Sequence, residues 1–261
     1  MPTSDALYTT NGPVAMLTFN RQQTRNAMTW AMYDALVDAC EAVDANPDIR
    51  VFVLSSAGDR AFIAGTDISQ FEDLRTTKDA IAYEERLERV IDRLERVTKP
   101  TIARIQGAAV GGGCVIAIAC DLRICGPDAR FGVPVARTLG NCLSAANCAR
   151  FLDLIGPALL KEIIFTARLI KAPEALAVGL ATQVVDAALL DQAVADTAEM
   201  IAANAPLTIR ATKELVRRVQ AHRQLGQNLD HDLIDSCYTS HDFKGAVESF
   251  LAKRQAVWTG R

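Results

Sequence analysis

The sequence predicts an α/β fold. Three observations carry that prediction. Short β-prone runs alternate with amphipathic helical stretches as far as residue 186. A glycine-rich turn, Gly107–Gly113, follows a predicted strand and opens an apolar helix. The stretch after residue 190 has helical periodicity and no good strand.

Taken in order, Leu7–Thr10 and Val14–Phe19 are strands joined across Asn11-Gly12, the strongest short hairpin signal. Met32, Leu36, Ala39 and Val43 recur at helical spacing and predict a helix over 30–46, stopped by Asn46-Pro47. Arg50–Ser55 is a buried strand, 57–65 a loop, and Asp67 the N-cap of a short helix reaching Leu74. A long amphipathic helix over 79–97 ends at Lys99-Pro100, and Thr101–Ile105 is the next strand. The apolar helix at 113–119 leads to a strand at 121–125. After Pro134 the chain turns helical, with stops at Gly156-Pro157 and Ala172-Pro173. A last strand, Gln183–Val185, precedes helices over 189–203, 207–222, 227–238 and 242–254.

The 261 residues suit a core over 1–190 followed by a helical region over 191–261. Apolar residues make up 50% and charged residues 23%, enough for a packed core. The net charge is −3 and the basic residues are scattered, which argues against a nucleic-acid partner. The longest apolar stretch, Ala108–Cys120, falls short of the ~18 residues that span a bilayer, so no membrane partner is expected. The first residues lack a basic segment and an apolar segment, and no signal peptide is expected. Seven cysteines, an odd number with no C-x-x-C spacing, predict reduced core thiols in a cytoplasmic protein and no metal site.

Two segments are suited to chemistry. Ala61–Ile68 is a loop ending at a helix start, with Gly65 permitting close approach of backbone to a ligand. Gly107–Cys114 offers first-turn N–H groups and the positive end of a helix dipole, a site for a phosphate or a developing oxyanion. Its spacing fits neither G-x-G-x-x-G nor a Walker A loop. The plain alternative is that the glycines only permit close packing.

Together these segments resemble the crotonase (enoyl-CoA hydratase/isomerase) superfamily. The likeness runs through Asn20-Arg21 with Arg25-Asn26-Ala27, Ala61-Phe62 with Ala64–Ile68, Lys99-Pro100, and Gly107 with Gly111–Cys114. It continues through Cys120–Arg123, Ala129–Gly132, Ala177–Ala181 and Asp242–Lys244 with Phe250–Arg254. The resemblance implies a spiral of β-β-α turns with a C-terminal helical oligomerisation region that assembles homotrimers or dimers of trimers. It implies an acyl-CoA thioester as partner and substrate, with no separate cofactor. The backbone N–H groups of Thr66 and Gly112 would form the oxyanion hole. Ala64 and Ile68, with Arg25 and Ala27, would line the coenzyme A channel, and Asp67 and Gly111 belong to the same binding segments. Phe250 and Lys253, from a neighbouring subunit, would reach the adenine and phosphate end. Each oxyanion donor of this kind is worth about 10²–10³ in rate.

The sequence departs from the family where hydratases carry two glutamates. Val115 stands at one position and Val135 at the other, and valine neither gives nor takes a proton. Loss of a general acid or base costs about 10²–10⁴. A further acid position used by some members holds Leu143. Arg137 and Asn141 are the candidate pocket polar groups, and Glu72, Asp73, Glu84 and Glu85 the available acids, against plain roles as loop caps and solvated helix faces. Cys142 as a nucleophile has no histidine near it in sequence, and His222, His231 and His241 all lie in the C-terminal helices. Asp67 suits a structural N-cap. Three readings stay open: a lyase- or isomerase-type acyl-CoA enzyme whose reaction is not standard hydration, a catalytically silent acyl-CoA-binding protein, and a scaffold built on the trimer. Among the enzyme reactions, decarboxylation needs the oxyanion hole and an apolar pocket more than it needs a base.

Overall fold

The computed structural model describes residues 4–72, 74–221 and 229–260. Strands β1 (Ala6–Asn11) and β2 (Val14–Phe19) form the hairpin, with Asn11 opposite Val14. Helix α1 (Trp30–Ala45) starts at Thr29, whose side chain accepts the Met32 N–H, and stops before Pro47.

Three β-β-α turns follow. They are β3 (Val51–Ser56), β4 (Ala61–Ile63) and α2 (Thr77–Glu95); β5 (Thr101–Ile105), β6 (Ala108–Val110) and α3 (Gly112–Ala119); and β7 (Leu122–Cys125), β8 (Arg130–Gly132) and α4 (Val135–Thr138). Then come α5 (Ala145–Thr166), β9 (Ile170–Lys171), α6 (Ala172–Ala177), β10 (Gln183–Val184), α7 (Leu190–Ala203), α8 (Pro206–Ala221), α9 (His231–Tyr238) and α10 (His241–Leu251). The first strand of each turn enters a sheet ordered β1-β2-β3-β5-β7-β10, and the second enters a sheet ordered β4-β6-β8-β9. This is the expected spiral.

Alternate residues of β3 enter two apolar layers. Phe52 and Leu54 join the main core with Leu36, Cys40 and Val43 of α1 and Ile116 of α3. Val51 and Val53 join Ile102, Ile124 and the α7 residues Leu190, Val194 and Ala198. A parallel strand covered on both faces is apolar throughout, which is why this run lacks alternation in the sequence. A third cluster gathers Phe71, Tyr83, Leu139, Ile234, Tyr238 and Phe243 between α2, α9 and α10. The C-terminal helices therefore divide: α7 roofs the large sheet, while α9 and α10 close over α2. No described helix is long and apolar enough to cross a membrane. All seven cysteines are free thiols, and burial pushes Cys40, Cys114 and Cys120 up to about 12.

The sequence reading is corrected at several points. The stretch 57–65 is not all loop, because β4 lies inside it, and the glycine-rich turn contains β6. Both strands have three residues and pair with distant segments, so no local alternation announces them. Ala172-Pro173 begins α6 instead of ending a helix, with proline at its first turn, where a missing N–H costs nothing. The expected stop at Gly156-Pro157 is present: Gly156, at φ +69° and ψ 170°, is non-helical and divides α5 into two helical pieces. Helix α10 ends at Leu251, ahead of 254. The start of the helix expected at 227 falls outside the described residues.

The glycines at the spiral corners are sterically required. A methyl group on Gly107, at φ +68°, would stand 2.4 Å from the Arg60 carbonyl. On Gly113 it would stand 2.2 Å from the Ile63 oxygen, so α3 lies directly against β4. Gly113→Ala is expected to lower stability by about 2 kcal/mol or more through overpacking against backbone that cannot yield. Urea unfolding monitored by circular dichroism measures it, and an unchanged midpoint would contradict this packing.

Candidate functional site

The site forms where the loop after β4 meets the start of α3. The loop is zipped to the segment before α1. Ala64 N–H donates to the Arg25 carbonyl at 3.1 Å, Met28 N–H to that of Gly65 at 2.8 Å, and Asp67 N–H to that of Met28 at 2.9 Å. Arg25 and Asn26 hold φ near +55°, a strained turn kept by the buried Asn26 side chain. Its amide donates to the Ala57 and Ala61 carbonyls and accepts from Arg21 N–H. The segments that carry Arg25, Ala27, Ala64, Asp67 and Ile68 thus lie side by side.

Asp67 has the structural role as well. Its carboxylate accepts from Ser69 N–H and pairs with Arg21 at 2.6 Å. These hydrogen bonds lower its pKa despite the opposing effect of partial burial.

Thr66 forms the single parallel bridge to Met28, and the flanking residues supply its hydrogen bonds. In a parallel bridge of this register the bridged residue's own N–H points away from the partner strand. A methyl group on Gly112 would lie 3.9 Å from the Thr66 nitrogen, and one on Gly111 3.5 Å from the Gly65 Cα. Gly112 opens α3, so its N–H is one of the first-turn donors a helix leaves without an internal partner. Gly111, at φ +57°, turns the chain into the helix and donates to the Gly132 carbonyl at 2.9 Å. Gly113 has a packing role against β4, and a side chain on Gly112 would crowd the Tyr33 hydroxyl, 2.8 Å away, and Thr66 Oγ1, 3.3 Å away.

Tyrosines that the sequence reading did not single out hold this loop. The Tyr33 hydroxyl of α1 shares a 2.8 Å hydrogen bond with Thr66 Oγ1, and the Tyr83 hydroxyl of α2 donates to the same oxygen at 3.2 Å. Trp30 packs on both rings, with centroids 5.6 and 5.5 Å away, and the Arg86 guanidinium lies 3.8 Å over Trp30. Burial raises both tyrosine pKa values, so both hydroxyls stay protonated. The amphipathic periods of α1 and α2 mark these positions as buried without distinguishing tyrosine from other core residues.

Val115 is buried on the first turns of α3, and the half-buried Val135 opens α4 and packs on the same core. Beyond Val135, Arg137 is exposed, and a methyl group on Gly140 would lie 3.0 Å from the Trp258 ring. Asn141 Nδ2 donates to the Tyr238 hydroxyl at 3.1 Å, and that hydroxyl donates to Glu84. Of the acids weighed from sequence, Glu72 and Glu85 are exposed, Asp73 lies outside the described residues, and Glu84 is buried. Burial pushes Glu84 up to about 7, against the lowering effect of the Tyr238 hydrogen bond.

Cys142 lies against Cys237, and that contact together with burial raises its thiol, which suits a structural role and not a nucleophile. His231 and His241 open α9 and α10, and His222 lies outside the described residues. Among the described residues no group of His, Cys, Asp or Glu is placed to hold a metal ion. Phe250 and Lys253 are exposed at the end of α10, and no hydrogen bond or ring contact among the described residues joins them to Thr66 or Gly112.

A family model described as enoyl-CoA hydratase/isomerase matches residues 9–261. The short-chain-enoyl-CoA hydratase of Clostridium acetobutylicum is 31% identical over 256 residues, covering 98% of this chain and 97% of that protein. The crotonyl-CoA hydratase of Syntrophomonas wolfei is 31% identical over 244 residues, covering 93% of each. Among solved structures, a methylmalonyl-CoA decarboxylase complexed with 2S-carboxypropyl-CoA has a TM-score of 0.90 at 27% identity, covering 100% of both chains.

The buried Glu84 predicts a pH dependence of stability. Its carboxyl titrates near 4.5 when unfolded and near 7 when folded, so the folded state holds the extra proton between these values. Its contribution is therefore most favourable below pH 4.5 and is lost as pH rises through 7. Relative to Glu84→Gln, the wild type should lose on the order of 3 kcal/mol between these limits. Parallel urea curves across pH measure the difference, and a constant gap would contradict a buried, titrating Glu84.

Proposed function

The chain belongs to the enoyl-CoA hydratase/isomerase family, and from that premise we propose that it binds an acyl-CoA thioester and stabilises its enolate between the Thr66 and Gly112 N–H groups, in a reaction other than standard hydration. The observation that carries this reading is the approach of Gly112 to the Thr66 nitrogen, with valines at 115 and 135. Two fixed backbone donors suit charge developing on a thioester oxygen. Valine neither accepts a proton from the α-carbon nor activates water, so a reaction that forms the enolate by breaking a bond other than α-C–H suits these residues.

Decarboxylation of a 2-carboxyacyl thioester meets that condition. The bond between the α-carbon and the carboxylate breaks, carbon dioxide leaves, and the electron pair passes into the enolate. A proton then adds to the α-carbon. The likeness to methylmalonyl-CoA decarboxylase supports this choice over hydration. Tyr33 and Tyr83 act as positioning residues through Thr66. The second reading, a silent acyl-CoA binder, draws on the same two valines.

Residues 191–261 serve, on this proposal, as the assembly region for a homotrimer or a dimer of trimers. The exposed Leu207, Leu215, Val216 and Val219 of α8 support it.

Crotonyl-CoA and a panel of malonyl-type, branched and longer thioesters, followed by mass spectrometry, test the reading. Loss of carbon dioxide from a carboxyacyl thioester is expected. Rapid gain of water by crotonyl-CoA would refute it, and tight binding without product from any thioester would favour the silent binder. Tyr33→Phe should lower kcat about tenfold with little change in KM, because a loosened donor is felt in the transition state.

A further inference from the structure

The Glu84–Tyr238–Asn141 chain has a definite direction. The Tyr238 hydroxyl donates to the Glu84 carboxylate, so its oxygen must accept, and Asn141 turns its Nδ2 toward it at 3.1 Å. The other end of the amide is left over. Asn141 Oδ1 is buried and, among the described residues, has no hydrogen-bond partner. A buried acceptor without a donor is destabilising, and a rearrangement that supplies one would be favoured.

The chain lies beside the proposed thioester site. Tyr238 and Tyr83 pack with ring centroids 6.3 Å apart, and Tyr83 donates to Thr66. Asn141 follows α4, which Val135 opens. A substrate carboxylate arriving here would meet the oxygen of Asn141 unfavourably. Rotating the amide presents Nδ2 to the carboxylate and Oδ1 to Tyr238. Tyr238 then donates to Asn141 and no longer to Glu84, which is left without its donor unless it carries a proton of its own.

We propose that Glu84, Tyr238 and Asn141 form a reversible hydrogen-bond relay that recognises the carboxylate of a carboxyacyl-CoA by taking up one proton at Glu84. The proton comes from solvent, the Glu84 carboxyl donates to Tyr238, Tyr238 donates to Asn141 Oδ1, and Asn141 Nδ2 donates to the substrate. No bond to carbon changes and no electrons move. The added proton offsets the negative charge the substrate brings into a buried site. Burial first, then the charges of Asp230 and Glu88, already favours the neutral carboxyl. Tyr83 and Cys142 also face Glu84, while Glu88 is held by Arg150. Glu84 and Tyr238 are positioning residues here, and Asn141 is the residue that touches the substrate. The proposal rests on the carboxyacyl-CoA reading above.

Calorimetric titration of the whole protein with 2-carboxypropyl-CoA and with propyl-CoA, in buffers of differing ionisation enthalpy, tests both separately. The two probes differ only in the carboxylate. Uptake of close to one proton at pH 8, fading toward none at pH 6, is expected with 2-carboxypropyl-CoA, and none with propyl-CoA. The affinity ratio of the two probes should fall about tenfold per pH unit above 7. Glu84→Gln, whose amide donates to Tyr238 at every pH, should flatten that slope, and Asn141→Leu should bring the ratio near one. Binding of both probes without a difference in proton uptake overturns the relay and leaves the acyl-CoA reading standing. Binding of neither overturns both. The wild-type measurements decide the question even where a variant fails to fold.

Discussion

Everything at the site depends on how closely two pieces of backbone approach each other. The start of α3 lies against β4 because position 113 carries no side chain, where a methyl group would stand 2.2 Å from the Ile63 oxygen, and the corner before it is equally tight, with a methyl group on Gly107 2.4 Å from the Arg60 carbonyl. Side chains at these positions would push the helix off the strand and separate the Thr66 and Gly112 nitrogens. On the reading proposed above the donors are backbone groups, so their placement is inherited from the spiral corners at Gly107 and Gly113. A donor held by sheet and helix pays no reorganisation when charge appears opposite it.

The surroundings are built to keep that backbone still and its environment apolar. Helices α1 and α2 each send a tyrosine to one threonine hydroxyl, with Trp30 between the rings. Val115 and Val135 add aliphatic surface to the main core. Ionisable chemistry is displaced to the Tyr238 side, where Glu84 is reached through hydrogen bonds.

Much of this was legible in the sequence, for identifiable reasons. The hairpin at Asn11-Gly12, the cap at Asp67 and the long helices carry local signals, and the structure follows them closely. The strands β4, β6 and β8 carry none, because three residues paired to distant partners produce no periodicity. The resemblance to a known family singled out Thr66 and Gly112, and the backbone hydrogen bonds tie the Thr66 loop to residues 25–28 and Gly111 to Gly132. The tyrosine clamp was not legible. Tyr33, Tyr83 and Tyr238 lie 50 and 155 residues apart in succession, and only the packing of α1, α2 and α9 brings their hydroxyls to one neighbourhood. Glu84 was one acid among several on an amphipathic helix until burial distinguished it.

The placement of the indoles has an optical consequence. The chain has 2 tryptophans. Trp30 lies between the Arg86 cation and the tyrosines that hold Thr66, and Trp258 rests against Gly140 on the segment leading to Asn141. One indole therefore borders each wall of the site, and neither is diluted by others elsewhere in the fold. Emission from the unlabelled protein is accordingly a local signal, with Trp30 quenching tied to the threonine loop and Trp258 to the α4 loop. Replacing either indole singly would separate the two walls in time and give each its own rate.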